Sequence, residues 1–173
     1  MEPHLQARML FPSMPEEIFN LWFDDRINVN GWPPHGGLWR GALCRRPIGF
    51  WKELEWTKKT LHLQFNKFTQ FSKTIITSLI LAYFLGAPNS LSLDLGDASK
   101  HRLQDIRSCL EANGIFPNPI ILLQEGDRFE IADGCHRLAV FSYLRHYTVP
   151  NHPLQEAQLA WVGAPPEMTD IAS

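Results

Sequence analysis

The sequence predicts an α+β protein in which a mixed sheet is flanked by helices and preceded by a helical N-terminal elaboration. Apolar residues recur every three to four positions in several segments, which is typical of helices with one buried face. The apolar run Pro119 to Leu123 and the alternating run Arg128 to Ala132 indicate two strands joined by a tight turn. We expect a helical region over residues 1–88, a core over 89–148 and an irregular tail over 149–173, together forming one compact domain.

The composition is typical of a folded protein with a local concentration of positive charge. Of the 173 residues, 45% are hydrophobic and 20% are charged, which allows a sizeable core and argues against disorder. The formal net charge of −2 does not itself predict nucleic-acid binding. Eight basic and only two acidic residues nevertheless lie between Arg40 and Lys73. This segment could present a positive field to an anionic partner such as DNA, through Arg40, Arg45 and Arg46.

The cysteines and the apolar segments favour a cytoplasmic location. Cys44, Cys109 and Cys135 are an odd number without close spacing, so we expect a reducing compartment and no disulfide framework. The first ten residues lack the apolar stretch of a secretory signal. The most apolar run, Ile75 to Leu85, has 11 residues, whereas a membrane-spanning helix needs roughly 20. Any membrane association would therefore depend on a partner protein.

Two helices are predicted in the N-terminal half. Ser13 precedes a proline and two glutamates, a pattern that predicts a helix from this cap to about Phe23. The Gly- and Pro-rich stretch Asn28 to Gly41 is typical of a loop. From about Phe50 a long helix is expected, ending before Gly86. Its predicted buried stripe consists of Phe65, Phe68, Ser72, Ile76, Leu79 and Tyr83.

The predicted core contains strands and helices in a clear order. Leu91 to Leu95 alternates as a strand does, and Gly96 to Ser99 then turns into a helix that ends at Asn113-Gly114. The two strands of the hairpin follow. Asp133-Gly134 then turns sharply into a last helix with an apolar face.

The junction Asp133-Gly134-Cys135-His136-Arg137 is the main candidate site. A helix that begins directly after a strand points its first amides and the positive end of its dipole outward, which suits a phosphate. Arg137 adds a planar cation, and His136 adds a donor that titrates near pH 7. Cys135 lies where the helix dipole should lower the thiol pKa. The alternative is that these side chains only pack, cap and form an ion pair.

A second phosphate contact is expected at Ser99 and Lys100, at the start of the preceding helix. A hydroxyl and an ammonium group there could both bind a phosphate. A plain helix cap beside a solvated lysine is an equally good interpretation. The aromatic residues of the basic segment, from Trp39 to Phe71, could likewise stack on nucleic-acid bases or form part of the core.

The run NGIFPNPIILLQEGDRFEIADGCHRLAVFSYL resembles the characteristic half of the ParB/sulfiredoxin superfamily. The resemblance covers about a third of the chain, Leu91 to Tyr147, and implies a ParB/sulfiredoxin-like fold. In sulfiredoxins the matching cysteine is the catalytic thiol, and the His-Arg pair with an upstream helix terminus holds the phosphates of ATP. This implies nucleotide-binding roles for Gly134, Cys135, His136 and Arg137 and, more loosely, for Lys100. Asp133 departs from the sulfiredoxin glycine and is more similar to ParB-like proteins and free serine kinases.

The tryptophan-rich front half and the overall size are also similar to plasmid fertility-inhibition proteins of the oncogenic suppression activity kind. This implies an ATPase and Mg²⁺-dependent DNase that blocks DNA transfer through a type IV secretion system. ATP and Mg²⁺ would be cofactors, and DNA and a component of the conjugation machinery would be partners. The catalytic residues would be Asp133, Cys135 and His136, with Asp133 also the metal ligand.

Three other functions fit the same residues. A kinase of a small free metabolite, such as serine, would use the same phosphate turn and a carboxylate base. A sulfinic acid reductase would use Cys135 as nucleophile, although Asp133 and the N-terminal region count against it. A nucleotide-sensing adaptor would bind a secretion or partition component without catalysis.

Overall fold

The computed structural model describes residues 2–93, 95–149, 151 and 153–166 and confirms the α+β class. A four-stranded mixed sheet has the order β1-β4-β2-β3. The second position belongs to the last strand of the chain, which pairs antiparallel with β1 and parallel with β2. The predicted hairpin is the antiparallel pair β2-β3. The strands are β1 (Glu55–His62), β2 (Ile120–Glu125), β3 (Arg128–Asp133) and β4 (Ala157–Ala164).

Helices cover both faces of the sheet. The first long helical segment begins after Pro15 and continues through a π-helical stretch, Phe19–Phe23, as far as Asn30. A second π-helical stretch, Leu81–Leu85, extends α6 (Gln70–Ile80), and a short 3₁₀ turn, Phe65–Lys67, precedes it. The α-helices are α1 (Pro3–Leu10), α2 (Glu16–Ile18), α3 (Asp24–Asn30), α4 (Gly36–Ala42), α5 (Ile48–Lys52), α6 (Gln70–Ile80), α7 (Asp97–Asn113) and α8 (Cys135–His146).

Strand β2 separates two hydrophobic cores. Its successive side chains point to opposite faces of the sheet. Ile120 and Leu122 belong to the core that α6, α7 and α8 cover, whereas Ile121 and Leu123 belong to the aromatic core beneath the N-terminal helices. All four are at most 2% exposed, so the prediction of a strand buried on both faces is confirmed.

The aromatic residues of the N-terminal half are mainly core residues. Trp22, Trp39 and Trp51 are among the largest fully buried side chains. Trp22 packs against Trp51 with ring centroids 5.0 Å apart. These tryptophans bind the N-terminal helices to the sheet and leave no face for a nucleic-acid base. The core interpretation is therefore the correct one for Trp39 and Trp51.

The prediction of one long helix from about Phe50 was wrong. Helix α5 ends at Lys52, and β1 follows as an edge strand whose side chains are all exposed or only partly buried. Helix α6 begins only after Thr69, whose hydroxyl accepts a hydrogen bond from the Ser72 amide. Because β1 is an edge strand with little burial, its sequence shows almost no alternation of apolar and polar residues. The helical spacing of the apolar residues that follow it therefore favoured one helix over the whole segment.

The irregular tail predicted after residue 148 was also wrong, for residues 157–164. Strand β4 lies inside the sheet, between strands that come from the first and second predicted regions. Its apolar run, Leu159 to Val162, has only four residues and lies between the prolines of the tail, which favoured an irregular segment. Gly163 is small because the ring of Trp56 lies against it, 2.9 Å from where a Cβ would stand. All three predicted regions therefore contribute to one sheet.

Three smaller predictions in the loops also need correction. Ser13 does not cap a helix, because its hydroxyl donates to the Lys52 carbonyl. The loop predicted over Asn28 to Gly41 is confined to residues 31–35, since α3 and α4 occupy most of it. The described residues of the predicted strand at 91–95 form no strand, and Asp94 lies outside the described residues. In the described part of the chain, no helix is both long and apolar enough to cross a membrane.

Candidate functional site

The predicted strand–turn–helix junction is present. Strand β3 ends at Asp133, and α8 begins at Cys135. Gly134 joins them with a φ of 106°, a conformation that side-chain-bearing residues rarely adopt. A Cβ on Gly134 would lie 2.6 Å from Cγ2 of Ile120 and 3.2 Å from Nε of Arg137. Glycine is thus required both by the backbone and by close packing, and no side chain caps the first amides of α8.

The junction forms one wall of a cavity of about 310 Å³, which we call the turn cleft. Its other walls come from the first long helical segment, from α7 and from the loop before β2. The polar and charged side chains that line it are Asp25, Arg102, Asn118, Asp133, His136 and Arg137. The turn cleft therefore brings together donors and carboxylates from four separate parts of the chain.

Arg137 and Asp133 form an ion pair within the turn cleft. The Nη2 atom of Arg137 donates to Oδ2 of Asp133 at 2.5 Å, and their side chains are 14% and 27% exposed. The Nε of Arg137 is buried and has no hydrogen-bond partner among the described residues. Arg137 keeps further N–H groups beyond the one that Asp133 accepts, because a guanidinium carries five. A phosphate at the turn would either compete with Asp133 for Arg137 or bind to Arg137 beside Asp133.

The pKa of His136 is lowered, which favours the neutral imidazole at pH 7. Burial is the main reason that its pKa is lowered from 6.5, and the positive charges of Arg102, Arg137 and Arg26 lower it further, against the opposing effect of Asp133. A neutral imidazole still offers one donor and one acceptor to a ligand. An anionic ligand near the arginines would favour the protonated form.

We expect His136 to make the protein less stable as the pH falls below 7. The pKa of His136 is lower in the folded protein than in the unfolded chain, where it is about 6.5. Protonation therefore favours the unfolded chain, and the free energy of unfolding decreases as the pH falls through 6.5 toward the lower folded pKa. Urea unfolding at about pH 7.5 and about pH 5.5 measures this loss. In His136→Gln the loss should be smaller than in the wild type. An equal loss in both proteins would show that His136 does not titrate in this way.

The expectation of a reactive thiolate at Cys135 was wrong. Burial, with Asp133 nearby, raises the pKa of Cys135 to about 12, and this outweighs the helix terminus. The side chain packs against the core beneath α8. A thiol with this pKa is almost fully protonated at neutral pH, which argues against a nucleophilic role. Cys44 behaves in the same way, since burial raises its pKa to about 12 as well.

Thiol labelling should show this difference between the cysteines. Cys109 and Cys135 are both partly exposed, but the pKa of Cys135 is raised to about 12. Iodoacetamide at about pH 8 is therefore expected to modify Cys109 first, while Cys135 and the buried Cys44 react mainly after unfolding in urea. Peptide mass spectrometry of timed samples measures the three rates. If Cys135 in the folded protein reacted as fast as Cys109, its thiol would have to be accessible and ionised.

Ser99 and Lys100 lie apart from the turn cleft. Helix α7 contributes Arg102 and Ile106 to the cleft wall, whereas Lys100 is exposed near the start of the helix. Gly96 is the N-cap residue of α7, without a side-chain hydrogen bond to the helix end. The basic residue that α7 brings to the site is therefore Arg102, two positions beyond the predicted lysine.

Two of the three candidate DNA-binding arginines are held by acidic residues. Arg45 donates to Glu130 at 2.7 Å and lies over the ring of Phe71, and Arg46 donates to Glu125 at 2.7 Å. These contacts tie the turn before α5 to the β2-β3 hairpin. Arg40 is exposed and forms no ion pair with any described residue. DNA binding by this segment stays a prediction, with fewer free cations than the sequence suggests.

The structure adds Asp25 and Arg102 to the wall of the turn cleft and places Arg26 where its charge acts on His136. Asp25 and Arg26 lie on the N-terminal helical segment, far from residue 133 in the sequence, and Arg102 lies within an ordinary amphipathic helix. Their types and spacing alone give no motif. The sequence of each helix shows an apolar face, which predicts packing against the sheet. That face does not indicate which polar residues of the helix come close to the turn.

The residues of the turn cleft fit a phosphate ligand with a divalent cation. Within the described residues no group of three or more His, Cys, Asp or Glu side chains could hold a metal ion unaided. Mg²⁺ is usually bound through one or two carboxylates together with phosphate oxygens and water. Asp25 and Asp133, which line the same cleft, could supply those carboxylates beside a phosphate.

No protein-family model matches this chain, and neither the curated proteins nor the solved structures contain a significant match. The order of helix, strand, hairpin, turn and helix is present in the structure. The resemblance to the ParB/sulfiredoxin superfamily stays a prediction that rests on the motif itself.

Proposed function

We propose that the turn cleft binds the phosphates of ATP and that the protein hydrolyses ATP with Mg²⁺. The observation that carries this proposal is the convergence of Arg102, His136, Arg137 and the uncapped start of α8 on one cavity. These groups are the hydrogen-bond donors that stabilise a phosphate and the charge that develops when a phosphoryl group is transferred.

Each residue of the cleft has a distinct part in this proposal. The amides at the start of α8 and the guanidinium of Arg137 would bind phosphate oxygens, since both donate N–H groups toward the same space. Neutral His136 would donate one hydrogen bond. When bound, Mg²⁺ would neutralise phosphate charge. Asp133 and Asp25 are its candidate ligands, and the same carboxylates could orient a water molecule.

A turnover assay tests the proposal. Purified protein is incubated with ATP and Mg²⁺, alone, with plasmid DNA and with free amino acids such as serine. Release of inorganic phosphate without an acceptor supports ATP hydrolysis, and a phosphorylated amino acid would instead select the metabolite kinase. Binding of ATP without turnover in any arm would select the nucleotide-sensing adaptor. The absence of ATP binding would exclude all three.

The wider role stays a prediction that the resemblance alone supports. A Mg²⁺-dependent DNase that blocks transfer through a type IV secretion system needs a surface that binds DNA as well as the cleft. Of the three arginines predicted for that surface, only Arg40 is free of ion pairs with the described residues. The plasmid arm of the assay, read as nicked DNA on a gel, tests this part separately.

A further inference from the structure

The turn cleft shares a wall with a second cavity, which we call the helix cleft. The helix cleft also measures about 310 Å³ and lies against the first long helical segment, where Arg26 and Val29 line it. Four residues line both cavities, namely Leu21, Asp25, Arg102 and Asp133. A ligand bound at the turn could therefore extend into the helix cleft past Arg102.

The helix cleft contains two guanidinium groups that no described residue neutralises. Arg26 and Arg102 form no ion pair with any residue in the described ranges. Of the two carboxylates that line the cavity, Asp133 is already bound to Arg137. Asp25 likewise forms no ion pair with a described residue. Among the described residues that line the helix cleft, the unpaired charges are thus two positive and one negative.

The charge of Arg26 acts on the turn itself. It is one of the positive charges that lower the pKa of His136, together with Arg102 and Arg137. Three arginines from three different elements therefore act on one imidazole. Two of the three have no acidic partner among the described residues, so their positive charge would attract an anion to this place.

We propose that Arg26 and Arg102 form a second phosphate subsite, so that the two clefts together select ligands with an extended phosphate chain. The inference rests on the proposed function for the first phosphate, at the turn. Guanidinium groups suit phosphate because their planar N–H pairs match two phosphate oxygens. Asp25 would repel a bare phosphate chain but would attract a divalent cation bound to it.

The test uses inorganic phosphate, pyrophosphate and tripolyphosphate, each with and without Mg²⁺, measured by titration calorimetry. We expect the wild type to bind tripolyphosphate at least about tenfold more tightly than phosphate, as one additional charge-assisted contact would give. Arg26→Gln should lose most of this preference, while its affinity for single phosphate falls by a much smaller factor. Arg137→Gln should weaken the binding of all three anions.

Arg128→Gln is the matched control. Arg128 is an exposed arginine at the start of β3 and lines neither cleft, so its replacement should change no affinity. Arg102→Gln provides a second variant of the subsite, should Arg26→Gln fail to fold by circular dichroism. An unchanged preference for tripolyphosphate in a folded Arg26→Gln or Arg102→Gln protein would overturn the subsite.

The substitution Asp25→Asn is an independent test, because it should change the affinity for tripolyphosphate in opposite directions with and without Mg²⁺. Without Mg²⁺ the substitution should strengthen tripolyphosphate binding, because it removes a negative charge from the path of the ligand. With Mg²⁺ it should weaken binding, because a cation ligand is lost. A shift in the same direction under both conditions would contradict the proposed position of the phosphate chain.

The outcomes separate this inference from the proposed function. Tripolyphosphate binding that depends on Arg26, in a protein that hydrolyses no ATP, would support the subsite and reject the hydrolysis. ATP hydrolysis in a protein whose Arg26→Gln variant keeps the full preference would support the hydrolysis and reject the subsite. If the wild type bound none of the three anions, the subsite would be rejected, and the turnover assay with ATP would decide the hydrolysis.

Discussion

Replacement of Arg137 by glutamine is expected to weaken ATP binding by about 10- to 100-fold, or about 1.5–3 kcal/mol, the range for a hydrogen bond to a charged group. Arg137 is the arginine nearest the start of α8 in the chain, and its side chain lines the turn cleft. Titration calorimetry with a non-hydrolysable ATP analogue and Mg²⁺ measures the change. Turnover should decrease at least as much, because phosphoryl transfer adds charge that the guanidinium stabilises.

The ion pair with Asp133 makes a folding control necessary. Removing Arg137 leaves a partly exposed carboxylate without its 2.5 Å partner, so some stability should also be lost. Thermal unfolding of the variant, and of Arg128→Gln as an exposed arginine control, shows whether the protein is still folded at the assay temperature. Unchanged ATP affinity in a folded Arg137→Gln protein would remove the turn from the nucleotide site.

Replacement of Gly134 by alanine should have the largest effect on stability, about 2–5 kcal/mol. The φ of 106° strains any side-chain-bearing residue, and the new Cβ would stand 2.6 Å from Cγ2 of Ile120, a side chain with no exposed area. The contact is with the buried core and not with a flexible side chain at the surface, so β3 and α8 would have to move apart. Urea unfolding measures the loss.

Gly126→Ala separates backbone strain from overlap. Gly126, in the turn between β2 and β3, has a φ of 61°, and a Cβ there meets nothing within 4 Å. Its replacement should cost only the strain, about 1–2 kcal/mol. If Gly134→Ala cost no more than Gly126→Ala, the close packing between Gly134 and Ile120 would not contribute to stability.

The turn was predictable because its signals are local. The end of β3, the glycine and the start of α8 are adjacent in the chain, and each follows from a short-range rule about strands, left-handed conformations or helix ends. The same is true of α7, which ends at Gly114 in the left-handed conformation, as expected. These elements required no knowledge of what packs on them.

The electrostatic state of the site was not predictable from the same residues. The helix terminus favours a thiolate at Cys135, but burial against the core favours the thiol and prevails. Arg45 was expected to face DNA, but it donates to Glu130, which is 85 residues later in the chain. Desolvation and pairing depend on residues that come close only after folding.

The sequence by itself therefore determined the α+β class, the β2-β3 hairpin and the strand–turn–helix junction that carries the candidate site. Only the tertiary structure decided the place of β4 inside the sheet, the approach of Asp25 and Arg102 to the turn, and the position of Arg26 in the neighbouring helix cleft. Strand β4 is held by non-local pairing to β1 and β2, and its apolar run of four residues, Leu159 to Val162, is too short to predict that pairing. The turn cleft forms because the N-terminal aromatic core fixes the first long helical segment over one face of the sheet. That packing brings side chains that are about a hundred residues apart in the sequence into one cavity.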